Sequence, residues 1–237
     1  MRRFALLALF FVLAFAPFGA GGAVARPTPA PVVVELFTAQ GCSDCPEANQ
    51  LLMKLADDPD VIALTYAVDY WDYLGWKDTF AKPEFAARQR AYRKAMNLRD
   101  VYTPQIVVDG RRQLTAVEED EVAAAVREEA RKDVWPPEMI FMGSNRVAVG
   151  SGRTPPGGAT VWLVRYDADV QEVTIRKGEN RGKTIRAGNV VRELKRLGDW
   201  RGRPRVYRLP AAGAPDLKTV VLVQADRTGR IVAAGRR

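Results

Sequence analysis

The chain contains no histidine and only two cysteines among its 237 residues. Without imidazole, Ser-His and Cys-His catalysis and most copper or haem ligation are excluded. A zinc site usually draws four ligands from Cys, His or carboxylate, so half of such a site is a poor account of two cysteines with no histidine to help them. No metal or cofactor is expected. Long apolar runs are scarce as well. Phe4 to Phe15 is short for a membrane span, follows Arg2 and Arg3, and precedes Ala23-Val24-Ala25. That order of charge, apolar stretch and small-x-small site reads as a signal peptide over residues 1–25, with an uncleaved anchor as the alternative. The residues around the twin arginine do not fit the twin-arginine export motif, and no cysteine lies near the cleavage site to carry lipid. The expected location is therefore periplasmic or secreted, where disulfides persist.

Charge is plentiful but uneven. The formal net charge is +8. Residues 26–133 carry 14 basic and 19 acidic side chains, whereas residues 134–237 carry 20 basic and 9 acidic ones. The basic half could meet an anionic membrane, an acidic partner or the acidic half of its own chain; the plainer reading is a basic surface with no dedicated partner. Nucleic acid is not expected, because no binding motif is present and the chain is exported. The oligomeric state is not legible.

The organising stretch is Val32 to Leu55. A β-branched and apolar run, Val32 to Phe37, leads through Thr38-Ala39-Gln40-Gly41 into Cys42 and Cys45, spaced C-x-x-C. Ala48, Leu51, Leu52 and Leu55 then recur at helical spacing. The cysteines thus fall at a strand-to-helix junction, where unpaired N–H groups and the helix dipole stabilise a thiolate. Cys42, expected to be the more exposed, is the candidate nucleophile, and Cys45 the candidate resolving thiol. Asp44, between them, is a candidate for tuning the Cys42 thiolate, because a neighbouring carboxylate opposes a second negative charge. Pro46 is tolerated in a first helical turn. The plain alternative is a structural disulfide.

These residues resemble the thioredoxin superfamily. More narrowly, VELFTAQGCSDCPEAN, VDYWDYLGWKDTF, RQRAY, VYTPQIVVDG and GENRGKTIRAGNVVRELKRLGDW are similar to a bacterial family of uncharacterised exported proteins, classed as a domain of unknown function. The resemblance implies that Pro104 is a cis-proline facing the cysteine pair, and that Thr103 and Pro104 hold substrate backbone by strand-like pairing. It also makes Glu35 a candidate proton shuttle beneath the pair. The offset of Glu35 from Cys42 is seven residues rather than six, so a solvated strand-end glutamate is the competing reading.

Along the rest of the chain, residues 26–31 are a proline-rich spacer, and residues 32–133 are expected to form an α/β thioredoxin-like domain with a helical insertion at about 70–99. Its order is β-α-β-(α)-β-β-α. Val61 to Tyr66 and Gln105 to Val108 read as strands, Lys82 to Met96 as a helix with a solvated basic face, and Asp109-Gly110 as a hairpin turn. Thr115 and Glu118 form a capping box for a helix ending near Lys132. The aromatic stretch Asp69 to Phe80 is either a lid beside the cysteines or an inserted loop packed on the domain. Val134-Trp135-Pro136-Pro137 marks a boundary, and residues 138–237 are expected to form a smaller all-β sandwich or barrel-like domain. Asn189 to Leu197 is ambiguous between helix and strand, with strand favoured.

The leading functional expectation is an exported thiol–disulfide oxidoreductase acting on protein or small-molecule thiols. The alternative is a non-catalytic binding or scaffold protein with a stable disulfide. A thiol peroxidase fits less well, since Thr38 precedes Cys42 by four residues and no partner arginine follows.

Overall fold

The computed structural model describes residues 30–115, 118–132 and 135–237, so the expected signal peptide and most of the spacer lie outside the described residues. Among the described residues no helix is long and apolar enough to cross a membrane.

Strand β1, Val32–Thr38, is buried along its whole length because both faces are covered. Val32, Val34 and Leu36 share one apolar cluster with Ala48, Leu51 and Leu52 of helix α1 (Cys45–Ala56) and with Val122, Ala125 and Val126 of helix α3 (Glu119–Ala130). Val33 and Phe37 point the other way, towards Phe85, Ala86 and Tyr92 of helix α2 (Pro83–Ala95). The alternation follows from the period of two in a strand. β2, Val61–Ala67, pairs parallel to β1, and the α1 crossover makes that possible. β3, Gln105–Val108, pairs antiparallel to β1, and β4, Arg112–Thr115, antiparallel to β3. Thr115 pairs with Gln105 inside that ladder, so it is not available to cap α3. The residue before α3 is Glu118, which makes no side-chain cap, and the expected capping box does not form.

The basic segment after residue 135 does not stand apart from this sheet. β7 (Ala159–Asp167), β10 (Val190–Trp200), β12 (Lys218–Ala225) and β13 (Ile231–Arg236) extend it to eight strands in the order β13-β12-β7-β10-β2-β1-β3-β4. The junction is Val190 opposite Thr65 in parallel register. Asn189 secures it, giving its carbonyl to the Thr65 N–H at 3.0 Å and its side-chain amide to the Ala63 carbonyl at 2.9 Å. β10 settles the ambiguous Asn189–Leu197 stretch as strand, and it bends through two irregularities in its pairing with β7.

The long sheet curls around α2. Val164, Val191, Val220, Leu222 and Ile231 pack in the same cluster as Val33, Phe37 and Tyr92, so α2 is held between the two ends of one sheet. The Ile231 N–H closes the curl on the carbonyl of Asp109, at 2.9 Å. Phe37 stacks on Tyr66 at 5.4 Å and meets Tyr92 edge-on at 6.1 Å, and each such pair contributes about 0.5–1.5 kcal/mol beyond its buried area. On the outer face of the C-terminal strands lies a three-stranded sheet of β5 (Met139–Met142), β6 (Arg146–Val149) and β11 (Arg205–Arg208), packed over Val161, Leu163, Trp200, Val221 and Val223. The strands that it packs on are continuous with the N-terminal sheet. β8 (Gln171–Thr174) and β9 (Thr184–Ala187) form a separate two-stranded ribbon.

Candidate functional site

The cysteines sit where β1 ends. The chain turns at Ala39, whose carbonyl accepts the Cys42 N–H at 3.2 Å, and turns again at Cys42, whose carbonyl accepts the Cys45 N–H at 3.3 Å. Cys45 is the first residue of α1, with Pro46 in the first turn where its missing N–H costs nothing. Cys42 and Cys45 are joined as a disulfide. Asp44 occupies the N-cap position but makes no capping bond; its carboxylate accepts the Ser43 hydroxyl at 3.4 Å.

The Thr103–Pro104 bond is cis. Since Gln105 lies opposite Phe37 in the antiparallel pairing, Pro104 falls at the end of the sheet where β1 passes into the cysteine turn. Cys42, Cys45, Thr103 and Pro104 therefore share one end of the sheet.

Both cysteines are buried, Cys42 at 2 % exposed and Cys45 at 0 %. Two segments lie against the cysteine turn. The first is the aromatic stretch, which folds around a single 3-10 turn at Asp72–Leu74. Trp71 packs on the cluster that contains both cysteines, lies against Gly41 and donates its indole N–H to the Thr103 hydroxyl at 2.8 Å. Gln40 is the anchor for the rest. Its side-chain oxygen accepts the Trp76 indole at 2.8 Å, and its backbone N–H donates to the Asp78 carboxylate at 2.7 Å. Burial pushes the Asp78 carboxyl above its ordinary range, against the N–H groups of Gln40, Phe80 and Ala81 that favour its charge. Tyr73, by contrast, is exposed. The stretch is thus packed on the domain, with Trp71 beside the cysteine turn.

The second segment comes from the far half of the chain. Residues 175–183 form a closed loop between β8 and β9, tied by Gly182 N–H to the Ile175 carbonyl at 2.8 Å and Ile175 N–H to the Lys183 carbonyl at 2.9 Å. Fully buried Asn180 donates from its amide to the carbonyls of Cys42, at 2.7 Å, and Gln40, at 3.0 Å. The Glu179 carboxylate accepts the Ser43 N–H at 3.3 Å. Asn180 and Glu179 lie within the GENRG stretch of the family resemblance, but nothing in their local spacing ties them to a turn some 138 residues earlier.

Glu35 is buried rather than solvated at the strand end. Fully buried on the α2 side of β1, it holds Arg88 through Nε at 2.6 Å and a second guanidinium nitrogen at 3.0 Å, and it accepts the Tyr92 hydroxyl. Arg88 also donates to the Gln224 side chain at 3.1 Å, and Gln224 donates to the Tyr92 oxygen at 3.0 Å. The solvated basic face expected for α2 therefore loses Arg88, which turns inward. Burial pushes the Tyr66 and Tyr92 phenols well above their ordinary range, so both stay protonated beside this pair. The cluster links β1, α2 and β12, and its charge is neutralised internally.

Among solved structures, the chain is similar to the X-ray crystal structure of protein AGR_C_4864 from Agrobacterium tumefaciens, at 31% identity over 89% of this chain and 95% of that one, with a TM-score of 0.71. It shares a fold with HBP35 of Porphyromonas gingivalis, at 14% identity, with 88% of this chain and 75% of that one covered and a TM-score of 0.60. No curated protein matches it. A family described as "Protein of unknown function (DUF1223)" matches residues 33–224, a span that holds the cysteine turn, Pro104, Arg88 and Asn180. The chain belongs to the DUF1223 family.

Proposed function

We propose that this protein is an exported thiol–disulfide oxidoreductase of thioredoxin-like type, working through Cys42 and Cys45. The observation that carries the reading is the placement of a C-x-x-C disulfide at the N-terminus of α1, at the same end of the sheet as Thr103 and Pro104. The helix N-terminus favours thiolate over thiol, which makes Cys42 a nucleophile when reduced and a good leaving group from a mixed disulfide.

In the oxidising direction, a substrate thiolate attacks the Cys42 sulfur. The Cys42–Cys45 bond breaks, and Cys45 departs with the electron pair as a thiolate. A second substrate thiolate then attacks the substrate sulfur of the mixed disulfide and expels the Cys42 thiolate. Two electrons have passed from the substrate dithiol to the cysteine pair, and the substrate leaves as a disulfide. The reverse sequence reduces a substrate disulfide, with Cys42 attacking and Cys45 resolving. Export through the leader expected at residues 1–25 would place the pair where oxidised partners are available.

The burial of both sulfurs favours a second reading, a stable disulfide in a non-catalytic binding protein. Equilibrium titration against glutathione, with the thiols counted by alkylation and mass spectrometry, separates the two. The oxidoreductase reading expects reversible two-electron reduction of the native fold at a defined potential. A pair that stays oxidised until the protein unfolds would establish the second reading. The Cys45→Ala variant, which lacks the resolving thiol, should accumulate mixed disulfides through Cys42.

A further inference from the structure

The oxidoreductase reading leaves open which reactants reach Cys42, and the 175–183 loop bears on that. Thiol–disulfide exchange needs access for an incoming sulfur to the sulfur under attack. Cys42 is 2 % exposed, Trp71 packs on the cluster that contains it and lies against Gly41, and the 175–183 loop bonds to the Cys42 carbonyl. The loop is a formed unit, because Ile175 is buried beneath it and its ends are bonded to each other. It also approaches the aromatic segment, where Gly178 faces Leu74 and Trp76.

Asn180 is the attachment. Its amide nitrogen serves the carbonyls of Gln40 and Cys42, and its amide oxygen accepts the Lys183 ammonium at 3.2 Å. Every polar atom of that side chain is committed, and the side chain is fully buried. An amide that bridges two carbonyls in the cysteine turn to a lysine in the loop holds the loop to the turn. Its hydrogen bonds go to backbone carbonyls and the lysine, and none goes to a sulfur.

Resting on the oxidoreductase reading, we propose that Asn180 is a specificity-determining positioning residue. Its two bonds to the cysteine turn keep the 175–183 loop seated, so that the Cys42–Cys45 disulfide exchanges with small-molecule thiols and excludes protein dithiols. A small thiol needs only a narrow path to one sulfur. A polypeptide has to lie along Thr103–Pro104, whose hydroxyl Trp71 already occupies, and has to displace the loop as well.

The test uses the oxidised mature protein and compares its rate of reduction by dithiothreitol with that by reduced thioredoxin, a protein dithiol. Asn180→Asp keeps the side-chain volume but replaces the donor with an acceptor facing two carbonyls. Its expected effect is a rise of tenfold or more in the ratio of the thioredoxin rate to the dithiothreitol rate, equivalent to about 1.4 kcal/mol of differential access. Asn180→Ala removes both bonds to the turn without adding a charge; it should raise the same ratio in the same direction and carries the test if Asn180→Asp does not fold. An unchanged ratio in a folded variant, with both reductants active, overturns the role of Asn180 and leaves the oxidoreductase reading standing. A ratio in wild type that already favours thioredoxin also overturns it. If dithiothreitol reduces neither the wild type nor a folded variant in the native state, the oxidoreductase reading fails and takes this inference with it.

Discussion

The guanidinium of Arg88 grips the carboxylate of Glu35 through two nitrogens, at 2.6 and 3.0 Å, with both side chains sealed from water. Such a pair is costly to bury, and costlier to leave half-made. Arg88→Ala strands a buried carboxylate and should lower the unfolding free energy by about 3–5 kcal/mol in urea titrations. The paired change Arg88→Met with Glu35→Leu removes both charges and should recover at least half of that loss. If the single and double variants are equally unstable, packing rather than the unpaired charge is responsible.

Asp109 gives the fold a pH dependence. It sits in the β3–β4 turn with its carboxylate accepting the Val33 N–H at 2.8 Å. Burial, reinforced by Glu129 and opposed by that N–H, Arg111 and Lys132, raises its pKa to about 6. A raised carboxyl pKa means that the folded state holds the proton more tightly than the unfolded chain does. The associated stability is present below about pH 4 and is lost as pH rises through about 6. Asp109→Asn keeps the accepting oxygen and suits the positive φ of 47°. It should flatten the change in melting temperature between pH 4 and 6 and stabilise the protein at pH 7 by about 1 kcal/mol, less than the full shift implies because the group retains some contact with solvent. An unaltered pH profile would exclude Asp109 as its source.

Asp44 bears on redox poise. Its carboxylate lies between the two cysteines in sequence and opposes a thiolate at Cys42. Asp44→Asn should stabilise the reduced form and raise the reduction potential by about 10–30 mV, a small effect because the residue is exposed and water screens it. Titration against glutathione reads the change. No change, or a lower potential, removes Asp44 from the tuning of the pair.

Gly110 and Gly143 both adopt a φ of +60°, but only Gly110 is crowded: a methyl group there would collide with the carbonyl of Gly229, whereas the one at Gly143 would meet nothing. Gly143→Ala should therefore lose only the left-handed backbone cost of about 1–2 kcal/mol. Gly110→Ala should lose clearly more, since it also pushes apart the closure of the sheet around α2. Equal losses in the two variants would show that this closure yields without cost.

Much of the cysteine end of the molecule was readable from Val32 to Leu55 because it is local. A period of two changing to 3.6 places the strand, the turn and the helix, and the cysteines fall at the change. Thr103-Pro104 was readable from its resemblance to a known pattern and from the extended run after it. In the basic half, a period of two broken by glycine and proline pointed to short strands, but not to which of them pair. Contacts between distant segments left no such trace. Arg88 sits on a helix rich in basic residues, and its counter-charge is 53 residues away, so its helix spacing looks like a solvated face. The single bridge from Val190 to Thr65 merges the two halves into one sheet, yet neither residue differs locally from one in a separate domain. Asn180 reaches Cys42 only because β10, seated beside β2, brings the β8–β9 ribbon to the N-terminus of α1. Periodicity records which face of an element is buried; what buries it is set when the whole chain closes.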